Sequence, residues 1–221
     1  MMTGVACHYA HNQNGSECNR DCNSYVRVAP LLGHIIGCRS RVSKISVDIM
    51  ISIRAATEHD AAAISHVHVQ SWRTTYAGIV PEEYLATLNE AERVLLWREW
   101  LTRDVPVYVA DLDGEIVGFI SGGAIREPVQ TYDAELFAIY LLEQAQGHGI
   151  GTALLRELAG SLLSKGFTSM IVWVLEKNPS KHFYVKSTAQ LVTSKDIQIG
   201  GVILSEVAYG WPNLEAIRSP Q

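Results

Sequence analysis

Glycines at positions 147, 149 and 151 alternate within the stretch 142–155, which reads Leu-Glu-Gln-Ala-Gln-Gly-His-Gly-Ile-Gly-Thr-Ala-Leu-Leu. A run with strand character precedes them. Behind them Ile150, Leu154, Leu158 and Leu162 recur at helical spacing. Alternating glycines at a strand-to-helix junction let backbone N–H groups approach an anion closely, and the helix N-terminus adds its partial positive charge. This junction constrains the chain more than any other feature. It requires a strand, a tight phosphate-sized turn and a buried helix in succession, which belongs to layered α/β architecture.

The punctuation on either side agrees. Ile51, Ile53 and Ala55 alternate in a first strand over 50–55. Thr57 and Asp60 stand in the capping-box relation, and Ala61, Ile64, Val67 and Trp72 then mark a helix. Pro81 opens a short helix, and residues 90–101 form another with Val94, Trp97 and Leu101 on one face. Strands are expected over 105–111, with Pro106 as its first residues begin, and over 115–121, joined by the hairpin turn Asp113-Gly114. A third spans 132–142. After the glycine loop come a helix over 149–165 closed by Gly166, a buried strand over 170–174 and a short helix over 179–186. Strands over 190–199 and 202–209 turn at Gly200-Gly201. The order β-α-α-α-β-β-β-α-β-α-β-β predicts one α/β domain over 50–221, a mixed sheet flanked by helices.

Composition narrows the function. The 221 residues carry 18 Lys plus Arg against 23 Asp plus Glu, a net charge of −5, so a basic nucleic-acid-binding face is not expected. An anionic ligand must then be held by a local device, since the overall field repels it. No apolar run is long enough to span a bilayer, and the interrupted 29–37 stretch lies too deep to read as a signal peptide. A reducing cytoplasm is the expected compartment. Cys7, Cys18, Cys22 and Cys38 all fall early, at irregular gaps that do not match a zinc ribbon, so no metal is expected. Residues 1–49 lack periodicity and read as an unstructured leader or sequence upstream of the true start.

Three phosphate-binding patterns compete for the glycine loop. A P-loop needs Gly-Lys-Ser/Thr, which is absent. A dinucleotide fingerprint counted from Gly147 puts Thr152 at its last glycine, and the loop follows an antiparallel hairpin rather than a first βαβ strand. The pattern Q/R-x-x-G-x-G/A fits at 144–149 and again, better placed against the helix, at 146–151. This segment resembles the pyrophosphate loop of the GNAT acetyltransferases. Residues 173–186, Trp-Val-Leu-Glu-Lys-Asn-Pro-Ser-Lys-His-Phe-Tyr-Val-Lys, resemble a second signature of that family, a strand, an Asn and a helix bearing Phe-Tyr. Residues 206–212 are similar to its last strand, and 71–81 to its acceptor-side helices. The resemblance covers about 51–214, in family order. There is one departure: Ser187-Thr188-Ala189 follow Lys186 where relatives place glycine. A left-handed cap is costly for Thr or Ala, so a looser or differently capped helix end is expected.

The resemblance implies a mostly antiparallel twisted sheet whose central strands, 132–142 and 170–174, splay around acetyl-CoA. It implies an N-acetyltransferase in which an amine attacks the thioester directly in a ternary complex. The backbone of Ile139, Tyr140 and Leu141 would flank the pantetheine. Amides of Gln146, Gly147, His148, Gly149, Ile150, Gly151 and Thr152 would take the pyrophosphate, and Asn178 would face the cofactor arm. Tyr184 would protonate the thiolate. Glu135, placed by alternation on the face of Phe137 and Ile139, would serve as base or else be a structural carboxylate, an ordered water then replacing it. Trp72, Arg73 and Tyr76 are candidates for the acceptor pocket, although Trp72 also fits a buried helix face. The partner is a small-molecule or peptide amine, and a homodimer is possible through the amphipathic helices or last strand. A CoA-binding sensor without catalysis and a dinucleotide-binding oxidoreductase are the alternatives.

Overall fold

The computed structural model describes residues 24–27 and 50–218. The four cysteines and, apart from one short strand, the leader lie outside the described residues. The strands are β1 (Ser24–Arg27), β2 (Met50–Ala55), β3 (Val107–Leu112), β4 (Glu115–Ala124), β5 (Ala134–Leu141), β6 (Met170–Leu175), β7 (Gln190–Ile199) and β8 (Val202–Trp211). The helices are α1 (Ala61–Thr75), α2 (Glu82–Ala86), α3 (Glu90–Leu101), α4 (Ile150–Ser164), α5 (Lys181–Lys186) and α6 (Glu215–Arg218). Among the described residues, one sheet holds all eight strands in the order β1-β2-β3-β4-β5-β6-β8-β7.

Local chemistry explains most boundaries. The capping box of Thr57 and Asp60 forms on a single 3-10 turn ahead of α1, and Asp60 also receives both Nη atoms of Arg54 at 2.8 Å. Asn89 caps α3 through Ala91 N–H at 2.9 Å. Asp113 and Gly114 both take positive φ, as a two-residue hairpin requires. Strand β5 begins at Ala134 rather than 132. Asp133 is diverted to accept the amides of Thr168 and Ser169 at 2.8 and 2.9 Å, which leaves Tyr132 in the loop. Strand β3 begins one residue after Pro106, which has no N–H to give the ladder.

Helix α4 lies on one face of the sheet. Leu154, Leu158 and Leu162 are fully buried there, against Met170, Val172, Val174 and Trp211. Each buried leucine contributes roughly 1.5–3 kcal/mol by leaving water. The opposite face is covered by α1, α2 and α3, where Ile64, Val67 and Trp97 meet Val109 and Phe119, and Trp72 and Tyr76 meet Leu175.

Two irregularities at the centre of the sheet position everything that follows. Strands β5 and β6 pair in parallel over three rungs only, Ala134 with Met170, Glu135 with Ile171 and Leu136 with Val172. Beyond these the strands continue unpaired and the sheet splays. Between β4 and β5 the register also shifts. Ser121 opposes Ala138 while Gly122 opposes Leu136, so Phe137 is an extra residue in a bulge. Gly122 permits this close approach: a Cβ there would sit 2.8 Å from the Glu135 carbonyl and 2.9 Å from Leu158. The bulge resets the alternation of β5 and corrects the expectation that Glu135 shares a face with Ile139. Ile139 and Leu141 pack toward α4, whereas Ala138 and Tyr140 pack toward α1.

The end of α5 is also corrected. Thr188 adopts φ +68°, its N–H donates to the Val185 carbonyl, and Ala189 N–H donates to the Tyr184 carbonyl. This is the Schellman pattern normally made with glycine, built here on a strained threonine. Trp211 Nε1–H reinforces it by donating to the Ser187 carbonyl at 2.7 Å. The helix end is therefore tightly capped rather than loose.

Candidate active site

A cavity of about 500 Å³ fills the splay between β5 and β6, within the range of small-molecule sites. Its floor is Ile139, Tyr140 and Leu141 on one strand and Val172, Trp173 and Val174 on the other. Its far end opens on the glycine loop, where Gln146, Gly147, Gly149, Gly151 and Thr152 line it. Gly147 and Gly149 take φ of +81° and +80°, and Gly149 is the N-cap of α4. The first backbone bond of that helix runs from Ala153 to Gly149, which leaves the amides of Ile150, Gly151 and Thr152 without a partner in the helix. Space for a ligand is open: a Cβ at Gly147 or Gly149 would meet nothing within 4 Å. The Gln146 amide donates to the Leu141 carbonyl at 3.2 Å and ties the loop to the strand end. The His148 and Ile150 side chains do not line the cavity. Ile150 is buried in the core, so these two residues offer backbone only.

One side of the cavity is α5. Tyr184 lines it and is buried among Phe183, Tyr209 and Trp211. Burial, with Tyr140 adding, pushes its phenol above the ordinary tyrosine value, so it is a neutral hydrogen-bond donor at physiological pH. Asn178 fixes the start of this element. Its Oδ1 accepts from Ser180 N–H at 2.8 Å and its Nδ2 faces the Tyr76 hydroxyl at 3.4 Å. Both Asn178 and Tyr76 line the cavity.

The other predicted residues are placed differently. Trp72 is buried and does not reach the cavity. Its indole N–H donates to the Tyr140 hydroxyl at 2.9 Å, so it holds a lining residue in place. His68, stacked on Tyr140, accepts from Trp97 Nε1–H at 3.3 Å, and burial holds its pKa well below the usual value. Arg73 is exposed and donates to the Leu88 carbonyl at 2.9 Å, bracing α1 against the α2–α3 connection. Glu135 is 2% exposed and lies outside the cavity lining. Its carboxylate is taken by the Nε, Nη2 and backbone N–H of Arg126, whose guanidinium stacks over Phe137. Sequence reasoning missed Arg126, the partner of Glu135.

A profile of the Acetyltransferase (GNAT) family matches residues 66–188. The uncharacterized N-acetyltransferase YuaI of Bacillus subtilis is 45% identical over 172 residues, spanning 77% of this chain and 98% of that protein. A spermidine N(1)-acetyltransferase of Thermoplasma acidophilum is 30% identical over 144 residues, 62% of this chain and 86% of that one. Among solved structures, the PaiA N-acetyltransferase of Thermoplasma acidophilum in complex with coenzyme A superposes with a TM-score of 0.55 at 26% identity, over 71% of this chain and 97% of its own. The splayed strands, the glycine loop at the α4 N-terminus and these matches lead to one conclusion: the chain belongs to the GNAT family of acetyltransferases.

Proposed function

We propose that this enzyme transfers the acetyl group of acetyl-CoA to a primary amine by direct attack within a ternary complex. The carrying observation is the open cleft between β5 and β6 running into a loop of unpartnered amides. The solved relative named above holds coenzyme A, and the residues here suit the same molecule. The loop amides at 147–152 would hold the pyrophosphate, aided by the helix N-terminus. The β5 backbone at Ile139–Leu141, paired to β4 but not to β6, would meet the pantetheine amides along its β6-facing edge, and Asn178 would keep α5 at the right distance. His182 and Lys186 line the same cavity, and Lys186 offers positive charge that the acidic chain as a whole lacks.

Acetyl-CoA supplies the activated thioester, and the protein contributes position and protons. Tyr184 donates to the departing sulfur. Tyr76 and Trp173 form the acceptor wall on the α1 side, while Trp72 acts through Tyr140 and Arg73 through the helix packing. Glu135 is assigned the task of anchoring Arg126 and the loop before β5. The exposed apolar Leu191, Val202 and Ile203 on the last hairpin support a homodimer through that edge.

Calorimetric titration with acetyl-CoA, with NADH and ATP as controls, tests the reading. Saturable binding of acetyl-CoA alone is expected, and loss of that binding in Gly149→Val. No heat at millimolar acetyl-CoA would refute it.

A further inference from the structure

The hydroxyl of Tyr76 is met by two groups that give it hydrogens. The first begins at Trp72, near the end of α1, whose indole N–H donates to the Tyr140 hydroxyl at 2.9 Å. An indole nitrogen donates and never accepts, so the Tyr140 oxygen is the acceptor there and its own hydrogen is left for another partner. That partner is Tyr76. Tyr140 eases the ionisation of Tyr76 while Tyr76 opposes that of Tyr140, as a donor and its acceptor must. The second group is Asn178. Its Oδ1 is committed to the Ser180 N–H at 2.8 Å, which fixes the amide and turns Nδ2 toward the Tyr76 oxygen at 3.4 Å.

Both lone pairs of the Tyr76 oxygen are thereby engaged, and its single hydrogen remains. Among the described residues no hydrogen bond takes it. Tyr76, Tyr140 and Asn178 all line the cavity between β5 and β6, and that is where the hydrogen is free to point. The support is rigid. Tyr140 stacks on His68 with ring centroids 5.0 Å apart, and Tyr76 lies against Trp72 at 4.6 Å. Burial above all, then Tyr184, pushes the Tyr76 phenol above its ordinary value, so it stays a neutral donor at physiological pH.

A hydroxyl whose lone pairs are taken cannot receive a proton from an ammonium. It can only donate. A bond to the amine nitrogen would tie up the lone pair that must attack, and the sulfur is served by Tyr184 from α5. Tyr76 and Tyr184 act on one another electrostatically from different walls, so the two phenols address the same end of the cavity. In a thioester the sulfur and the carbonyl oxygen share one carbon, which leaves the oxygen within reach of the second phenol.

We infer that the Tyr76 hydroxyl donates to the carbonyl oxygen of the acetyl thioester and stabilises the negative charge that builds there as the amine attacks. The inference rests on the acetyltransferase reading and adds a catalytic residue to it. No bond to Tyr76 forms or breaks. Its contribution is a donor aimed before the charge appears, with no reorganisation left to do. Trp72 and Tyr140 are positioning residues that set the direction of the hydrogen-bond chain behind it.

The test uses the full chain as wild type, Tyr76→Phe and Tyr140→Phe. Difference infrared spectroscopy with acetyl-CoA labelled with carbon-13 at its carbonyl reads the bond without any acceptor present. The carbonyl stretch should lie at lower frequency in the wild type than in Tyr76→Phe, with Tyr140→Phe between them. In thiol-release assays with saturating propylamine or spermidine, Tyr76→Phe should lower kcat about 10²–10³-fold with the acceptor KM nearly unchanged. Acetyl-CoA affinity should fall by no more than about tenfold, the share of one neutral hydrogen bond. An unchanged carbonyl frequency in Tyr76→Phe, or a loss carried by the acceptor KM alone, would overturn the inference. A wild type that binds no acetyl-CoA would instead overturn the acetyltransferase reading.

Discussion

Replacing Thr188 by glycine should stabilise this protein, although it removes a side chain and adds none. Thr188 sits at φ +68° in the position that closes α5. For an L-residue the left-handed region costs roughly 1–2 kcal/mol. Glycine removes that strain but is freer in the unfolded chain, which returns roughly 0.5–1 kcal/mol. Thr188 is exposed, so no apolar burial is lost. The net gain is about 0.5–1 kcal/mol, or about 1–4 °C in Tm for a domain of this size. Differential scanning calorimetry of the wild type, Thr188→Gly and Thr188→Ala measures it, with alanine as the control that keeps a Cβ in the strained region. The Ala189 amide, which donates to the Tyr184 carbonyl, should exchange more slowly in the glycine variant. A Tm at or below wild type, or an equal gain from alanine, would refute the assignment of strain to φ.

Further outcomes follow from the same coordinates. Tyr184→Phe keeps the packing against Trp211 and Tyr209 and removes the donor, so kcat should fall about 10²–10⁴-fold with acetyl-CoA affinity nearly unchanged; a loss under threefold in steady-state rates would dismiss the acid role. Gly122→Ala drives a Cβ into the Glu135 carbonyl and Leu158, and should destabilise by about 1–3 kcal/mol in urea unfolding, with no effect if the bulge relaxes freely. Desolvation raises the Asp60 carboxyl, but its bonds from Arg54 and Thr57 outweigh this and leave it below the usual value. Its stabilisation is thus present above the unfolded carboxyl pKa of about 4 and disappears as pH falls through the folded one. The Tm deficit of Asp60→Asn should accordingly be full at pH 7 and vanish in acid.

Much of this was readable from residues alone because the chain is sharply punctuated. Asp113-Gly114, Gly166 and Gly200-Gly201 fix turns whose backbone angles few other residues adopt, and the strands and helices between them fall within two or three residues of their expected limits. The glycine loop was legible because an anion site at a helix start leaves its demand in the sequence. The bulge at Phe137 was not. Nothing in β5 announces an extra residue, and the accommodating signal, Gly122-Gly123, lies on the neighbouring strand. Period-two counting therefore put Glu135 and Ile139 on one face when they lie on opposite ones. The partner of Glu135 was likewise hidden, because Arg126 reaches it from a loop whose path depends on that bulge. At Thr188 local propensity argued against a left-handed cap, and tertiary contacts through Trp211 overrode it.

The three-rung seam between β5 and β6 has a mechanical consequence. Five strands stand on one side of it and three on the other, joined by a short parallel ladder and by helices that bridge from above and below. Such an object can breathe like a book on a short spine, with the pages free toward the glycine loop and bound at the Ala134–Met170 edge. A molecule lying between the pages and bonding to the bare backbone of both would lengthen the spine. The donor is then a temporary part of the framework as well as a reactant, and its departure as free thiol would restore the looseness that lets the next one in.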